Sequence, residues 1–164
     1  MLKLAEVNAM DREQFAQRIG PVFEHSPWIA ARTAAARPFA AREELLAGLR
    51  LTVEQASEEE KVALIRAHPD LVGCASLTNE SQAEQAAAGL DQLSTEEAAQ
   101  FRDFNRRYRE KFDFPFVVCA RENKKEAILA AFPKRLQNSR AAEMQTALEE
   151  IFKIAALRLR DLVR

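Results

Sequence analysis

Two histidines occur in these 164 residues. One of them, His68 in the stretch "RAHPDLVG", stands directly before a proline. A residue before proline avoids the α region, so a helix running into this stretch must stop there. An imidazole at a helix end can project into a cleft instead of packing along a helix side. Histidine is also the one side chain whose ordinary pKa lies near neutrality, so the chemistry it offers is proton transfer. The competing reading is a capping or solvent-exposed histidine of no consequence. The other histidine, His25 in "FEHSPW", has no comparable context and reads as structural.

Three further places could carry chemistry. Glu84 lies in "ESQAEQAAAGLDQL", where Ser81 and Glu84 have capping-box spacing. A helix N-terminus also offers free N–H groups to an anion, so the segment could cap its helix and hold a small anionic ligand. Gly89, in the same alanine-rich run, suggests close packing of another element. Arg158 shares a helix face with Ile151, Ile154, Ala155 and Leu162, seven, four and three residues before it and four after. A guanidinium on an apolar stripe either reaches water past its own stem or meets a buried anion, a ligand among the candidates. Finally, "KFDFPFVVCA", Lys111 to Ala120, places three phenylalanines near a proline. It reads as core, but an extended apolar segment also has main-chain groups unclaimed by helix hydrogen bonds. Such groups can read the edge of a polar heterocycle.

Other chemistries find little support. No second histidine stands at metal-ligand spacing from His68 and Asp70. Neither a glycine-rich phosphate loop nor a nucleophile elbow occurs. Cys74 and Cys119 form no metal motif and suit a reducing compartment, although a disulfide between them is not excluded by sequence; the apolar neighbours of Cys119 argue for an inert thiol. The formal net charge of -1 offers no basic field for nucleic acid or anionic lipid. No apolar run approaches the ~20 residues of a membrane span. The N-terminus lacks a secretory apolar region and "RDLVR" is no targeting tripeptide, so the expected location is cytoplasmic.

The elements that must position these residues are helices. Glycine is scarce (4), and alanine, leucine, glutamate and arginine dominate. Asp11 with Gln14 at N3 opens one helix, with Met10 and Phe15 spaced as a hydrophobic staple. Ser57 with Glu60 opens a second, which should fail near Pro69. Ser94 with Glu97 opens a third, whose Phe101, Phe104 and Tyr108 recur as one face requires. "KKEAILAAF" is a short helix expected to stop at Pro133, and "AAEMQTALEEIFKIAALRLRDLV" is a long one. "FPFVVC" is the only strand-like run, and it is expected as one short extended core segment. The expected fold is an all-α, single-domain bundle of about six to nine helices over residues 1–164.

Four segments in order are "AHPDL", "SQAEQAAAGLDQL", "FNRRYREKFDFPFVVC" and "ALEEIFKIAALRL". Together they resemble the 2-oxo-4-hydroxy-4-carboxy-5-ureidoimidazoline (OHCU) decarboxylases of urate degradation, over about Phe15 to Val163. The resemblance implies an all-helical, cofactor-free enzyme, usually a homodimer, that converts OHCU to (S)-allantoin with loss of CO₂. It implies His68 as the catalytic proton donor, with Glu84 and Arg158 as the acidic and basic pocket residues. It implies substrate contacts from Pro69, from Ser81, Gln82, Ala83, Glu84 and Gln85, and from Phe116, Val117, Val118, Cys119 and Ala120. Neither nucleic acid nor membrane is an expected partner. The alternative is a non-catalytic helical module that binds a ureide or purine; a hydrolase would need a metal or nucleophile that the motifs do not supply. Two departures from the family pattern stand out. The family often has glycine where Asp113 stands, and the stretch between "HPDL" and Ser81 is short.

Overall fold

The computed structural model describes residues 1–72 and 77–164. Among the described residues there are nine α-helices and no strand, apart from an isolated bridge between Leu2 and Val163. The all-α expectation therefore holds. Cys74, and part of the short stretch after "HPDL", lie outside the described residues.

The helices form two compact units. The first comprises Met1–Ala67 with Phe152–Arg164, and the second His68–Ile151. The first unit holds α1 (Leu4–Ala9), α2 (Arg12–Ile19), α3 (Pro27–Thr33), α4 (Arg42–Glu54), α5 (Glu58–Arg66) and the C-terminal part of α9 (Arg140–Leu162). Helix α3 packs against α2 and α4. Phe15, Ile19, Ile29, Leu45, Leu49 and Leu64 are fully buried here. Asp11 and Ser57 close the two capping boxes that their spacing predicts.

The second unit holds α6 (Asn79–Ala87), α7 (Thr95–Phe112), α8 (Lys125–Arg135) and the remainder of α9. Its core is aromatic. Phe116 stacks on Phe132 at 3.8 Å, and Tyr108 meets Phe112 at 4.6 Å and Phe116 at 5.3 Å between ring centroids. Residues 114–119 are buried and lie outside any helix or strand, and Cys119 at their end is extended, with φ -72° and ψ 94°.

Four local expectations need correction. The cap of α6 is Thr78, whose hydroxyl accepts the Ser81 N–H at 3.2 Å, so no capping box forms between Ser81 and Glu84. Thr78 and Ser81 are both hydroxyl residues at workable spacing. Burial of Ser81 and Gln85 on one face places the helix start one turn earlier. Ser94 does cap α7, accepting from Glu97 N–H at 3.1 Å, but the Glu97 carboxylate pairs with Lys125 at 2.8 Å. Helix α8 does not stop at Pro133 but continues to Arg135. Proline removes one hydrogen bond there, while buried Phe132 and Arg135 anchor the turn on either side of it.

Gly89 is the fourth correction. Its Cβ would meet nothing nearer than Lys125 at 3.9 Å, so close packing does not explain it. It sits just past α6 with φ 83°; Leu90 N–H donates to Gln85 O at 3.1 Å and Gly89 N–H to Ala86 O at 3.0 Å. This is a Schellman cap, which needs the left-handed conformation glycine adopts freely. Asp113 makes the matching turn after α7 at φ 61°, ψ 28°. Aspartate tolerates this region better than most residues, so the departure from glycine leaves a left-handed turn in place.

Candidate active site

Helix α5 ends at Arg66, and Pro69 forbids its continuation. His68 follows as a buried residue, 6% exposed. It is not the solvent-exposed histidine of the competing reading. The chain after it is held at successive positions within the second unit. The Asp70 carboxylate accepts from Arg109 Nε at 2.9 and 3.1 Å. Leu71 O accepts from the buried Asn105 Nδ2 at 2.7 Å. Val72 N–H donates to Gln85 Oε1 at 3.3 Å. Val72 sits at φ 67°, an unfavourable conformation for a β-branched residue, and these tethers hold it there. The roles of Asn105 and Arg109 escape sequence reading. They stand 34 and 39 residues from their partners, and nothing local marks them.

On α6 the sequence-predicted contacts divide by face. Ser81 and Gln85, one turn apart, are buried, and Glu84 beside them is half-buried. Gln82 and Ala83 fall on the exposed face. Helix α6 packs against the 3-10 turn Ala120–Glu122, which follows the buried segment 114–119. There, burial foremost, then the carboxylates of Glu122, Glu150 and Glu84, push the Cys119 thiol up to about 11. A thiol so placed stays protonated and is a poor nucleophile.

Phe116 to Ala120 are all buried. Their main-chain groups are less free than the sequence suggests. Val117 O accepts from Arg135 Nη1 at 2.6 Å, and Cys119 N–H donates to Glu150 Oε2 at 2.8 Å. Cys119 O accepts from Asn123 Nδ2 at 2.9 Å. Among the described residues, the N–H and C=O of Val118 take no protein partner. Arg135 belongs to a buried network that sequence reading missed. Its Nε donates to Glu143 Oε2 at 2.9 Å, and its guanidinium lies 4.0 Å over the Phe116 ring. Tyr108 donates to the same Glu143 carboxylate, and Asn138 Nδ2 donates to its other oxygen at 2.9 Å. Burial above all raises the Tyr108 pKa, which keeps the phenol a donor.

Arg158 belongs to the first unit, where it is 8% exposed. Its Nη1 donates to Glu24 Oε2 at 3.0 Å and lies 3.4 Å from Pro21 O. Of the two outcomes left open for this cation, the structure shows a buried anion, and that anion includes a protein carboxylate. Glu24 itself is 2% exposed. The neighbouring His25 is exposed, with φ 44°. Among the described residues, no group of three or more histidine, cysteine, aspartate or glutamate side chains could hold a metal ion.

Described residues whose regular elements are all helices, a buried helix-end histidine, a half-buried carboxylate on α6 and a buried non-helical segment with open main-chain groups at Val118 define a class of small helical enzymes with a polar binding site. The family model for OHCU decarboxylase matches residues 8–160, and the chain belongs to this family. It is 42% identical over 160 residues to a 2-oxo-4-hydroxy-4-carboxy-5-ureidoimidazoline decarboxylase of Haloferax volcanii, covering 98% of this chain and 95% of that protein. A protein of the same description from Amia calva is 39% identical over 167 residues, covering 99% of this chain and 95% of the relative. A crystal structure of (S)-allantoin synthase superposes with a TM-score of 0.81 at 26% identity, over 100% of this chain and 54% of that longer one.

Proposed function

We infer that this chain decarboxylates OHCU to (S)-allantoin in urate degradation, with His68 as proton donor. The buried position of His68, at a helix end whose following residues are tethered to α6 and α7, carries this assignment. A fixed, desolvated imidazole can deliver a proton to one place; a mobile surface histidine cannot.

The chemistry sets three demands. The leaving carboxylate must be oriented, the electron pair left on its carbon must be accommodated, and that carbon must be protonated on one face. The substrate ring accepts the electron pair, so the reaction invokes no cofactor. Glu84, on the inward side of the Ser81–Gln85 turn, accepts N–H groups of the ring or ureido arm. Main-chain groups of Phe116 to Ala120 hold the amide edges, and Pro69 lies beside the histidine. Arg158 offsets negative charge while paired with Glu24. An oriented donor at a developing charge contributes about 2.7–4 kcal/mol to the barrier. The working form is a cytoplasmic homodimer. Among the described residues, no helix is long and apolar enough to cross a membrane.

The test is His68→Asn with freshly generated OHCU. General acid–base catalysis contributes ~10²–10⁴-fold, so turnover should fall by that factor while the thermal transition stays in place. A variant retaining wild-type turnover removes His68 from the mechanism.

A further inference from the structure

The buried Arg135 network has no part in the chemistry above, and stability alone explains it poorly. Taking charges out of water is costly, and apolar residues of similar volume often serve a core as well or better. What the network does hold is the segment proposed to read the substrate. Arg135 draws Val117 O to 2.6 Å. Because a trans peptide is planar with its C=O and N–H opposed, this turns the Val118 N–H away from Arg135. Glu150 takes the Cys119 N–H at 2.8 Å, and the same geometry turns the Val118 C=O away from Glu150. Two consecutive peptide planes are thus set by two charged side chains. The residue between them keeps both of its main-chain groups free of protein partners among the described residues.

We propose that Arg135 and Glu150 are positioning residues that present the Val118 N–H and C=O as a paired donor and acceptor for the N–H/C=O edge of a ureide. With the Val117 C=O and the Cys119 N–H each engaged by a charged side chain, the opposed groups of the same two peptide planes, the Val118 N–H and C=O, are left to a ligand. A cyclic or open ureide carries an adjacent N–H and C=O that completes such a pair. Arg135 suits the task because its planar fork satisfies Glu143 and Val117 O together while its face covers Phe116; an ammonium offers no such plane. The proposal rests on the ureide substrate assigned above.

Glu150→Leu, Glu150→Gln and Arg135→Lys test it, through kcat, KM for OHCU, the enantiomeric composition of the allantoin formed, and the thermal midpoint. Glu150→Leu should raise KM about tenfold, the equivalent of about 1.4 kcal/mol, and lower the enantiomeric excess. Glu150→Gln should restore both, since an amide oxygen also accepts the Cys119 N–H. Arg135→Lys should shift KM in the same direction as Glu150→Leu. A purely structural role would lower the midpoint of the variants but leave KM and product chirality unchanged. Wild-type KM and chirality in folded Glu150→Leu, or no recovery in Glu150→Gln, would overturn the proposal. If the wild-type protein fails to accelerate OHCU decay, the decarboxylase assignment falls instead. The Val118 pairing is then decided by its ¹⁵N amide shift on titration with allantoin, where no shift counts against it.

Discussion

Arg158 and Glu24 show how the meaning of a residue depends on its partner. A lone guanidinium on an apolar helix face could have been waiting for a ligand; here it holds a carboxylate that is itself buried. Removing one member of such a pair strands the other in a low-dielectric site, at a cost of about 3–5 kcal/mol. Arg158→Met should therefore lower the thermal midpoint by roughly 10 °C, taking about 2–4 °C per kcal/mol for a chain of this size. Arg158→Lys should keep most of the stability and lose turnover, because a point charge does not replace a planar fork. Adding Glu24→Leu to Arg158→Met should recover part of the loss. Differential scanning calorimetry of the three proteins checks this, and an unchanged midpoint in Arg158→Met would assign the arginine to substrate alone.

At the scale of elements, α6 is the instructive case. It carries Glu84, and its start decides which side chains face inward. With Thr78 as cap, Thr78→Ala should cost about 1 kcal/mol, within the usual 0.5–2 range for losing a capping hydroxyl. Ser81→Ala leaves that cap intact, so its effect should appear in KM and not in helix stability. Urea denaturation with steady-state kinetics on both variants separates the two. A larger loss of stability from Ser81→Ala would restore Ser81 as the cap. The far end of α6 closes at Gly89, and α7 at Asp113, both by left-handed turns. Such turns stop a helix abruptly, and the buried, non-helical segment 114–119 begins directly after the second.

At the scale of the whole molecule the question is stereochemistry. Uncatalysed decay of OHCU exposes both faces of the reactive carbon to water and should give racemic allantoin. A single imidazole beside a pinned substrate reaches one face. In D₂O the enzyme should give one enantiomer carrying deuterium at the former carboxylate carbon. Circular dichroism with mass detection, taken before allantoin racemises, reads both. Accelerated CO₂ release with racemic product would mean that protonation follows escape of the intermediate, and His68 would then assist bond breaking only.

Much of this was legible from local chemistry. The helix-end position of His68 follows from one proline, the starts of α2 and α5 from their capping boxes, and the burial of Phe114 to Ala120 from apolar density. These signals act over a few residues and need no partner. The sequence pattern was silent where two equivalent local solutions competed, as between Thr78 and Ser81, and where a group is paired far along the chain. Asn105 with Leu71, Arg135 with Val117, and Arg158 with Glu24 lie 34, 18 and 134 residues apart. A hydrogen bond is directional and a buried charge demands a partner, but neither leaves a periodic trace in the chain. Which carboxylate meets which guanidinium, and so which way the Val118 peptide groups turn, is decided only when the chain is folded.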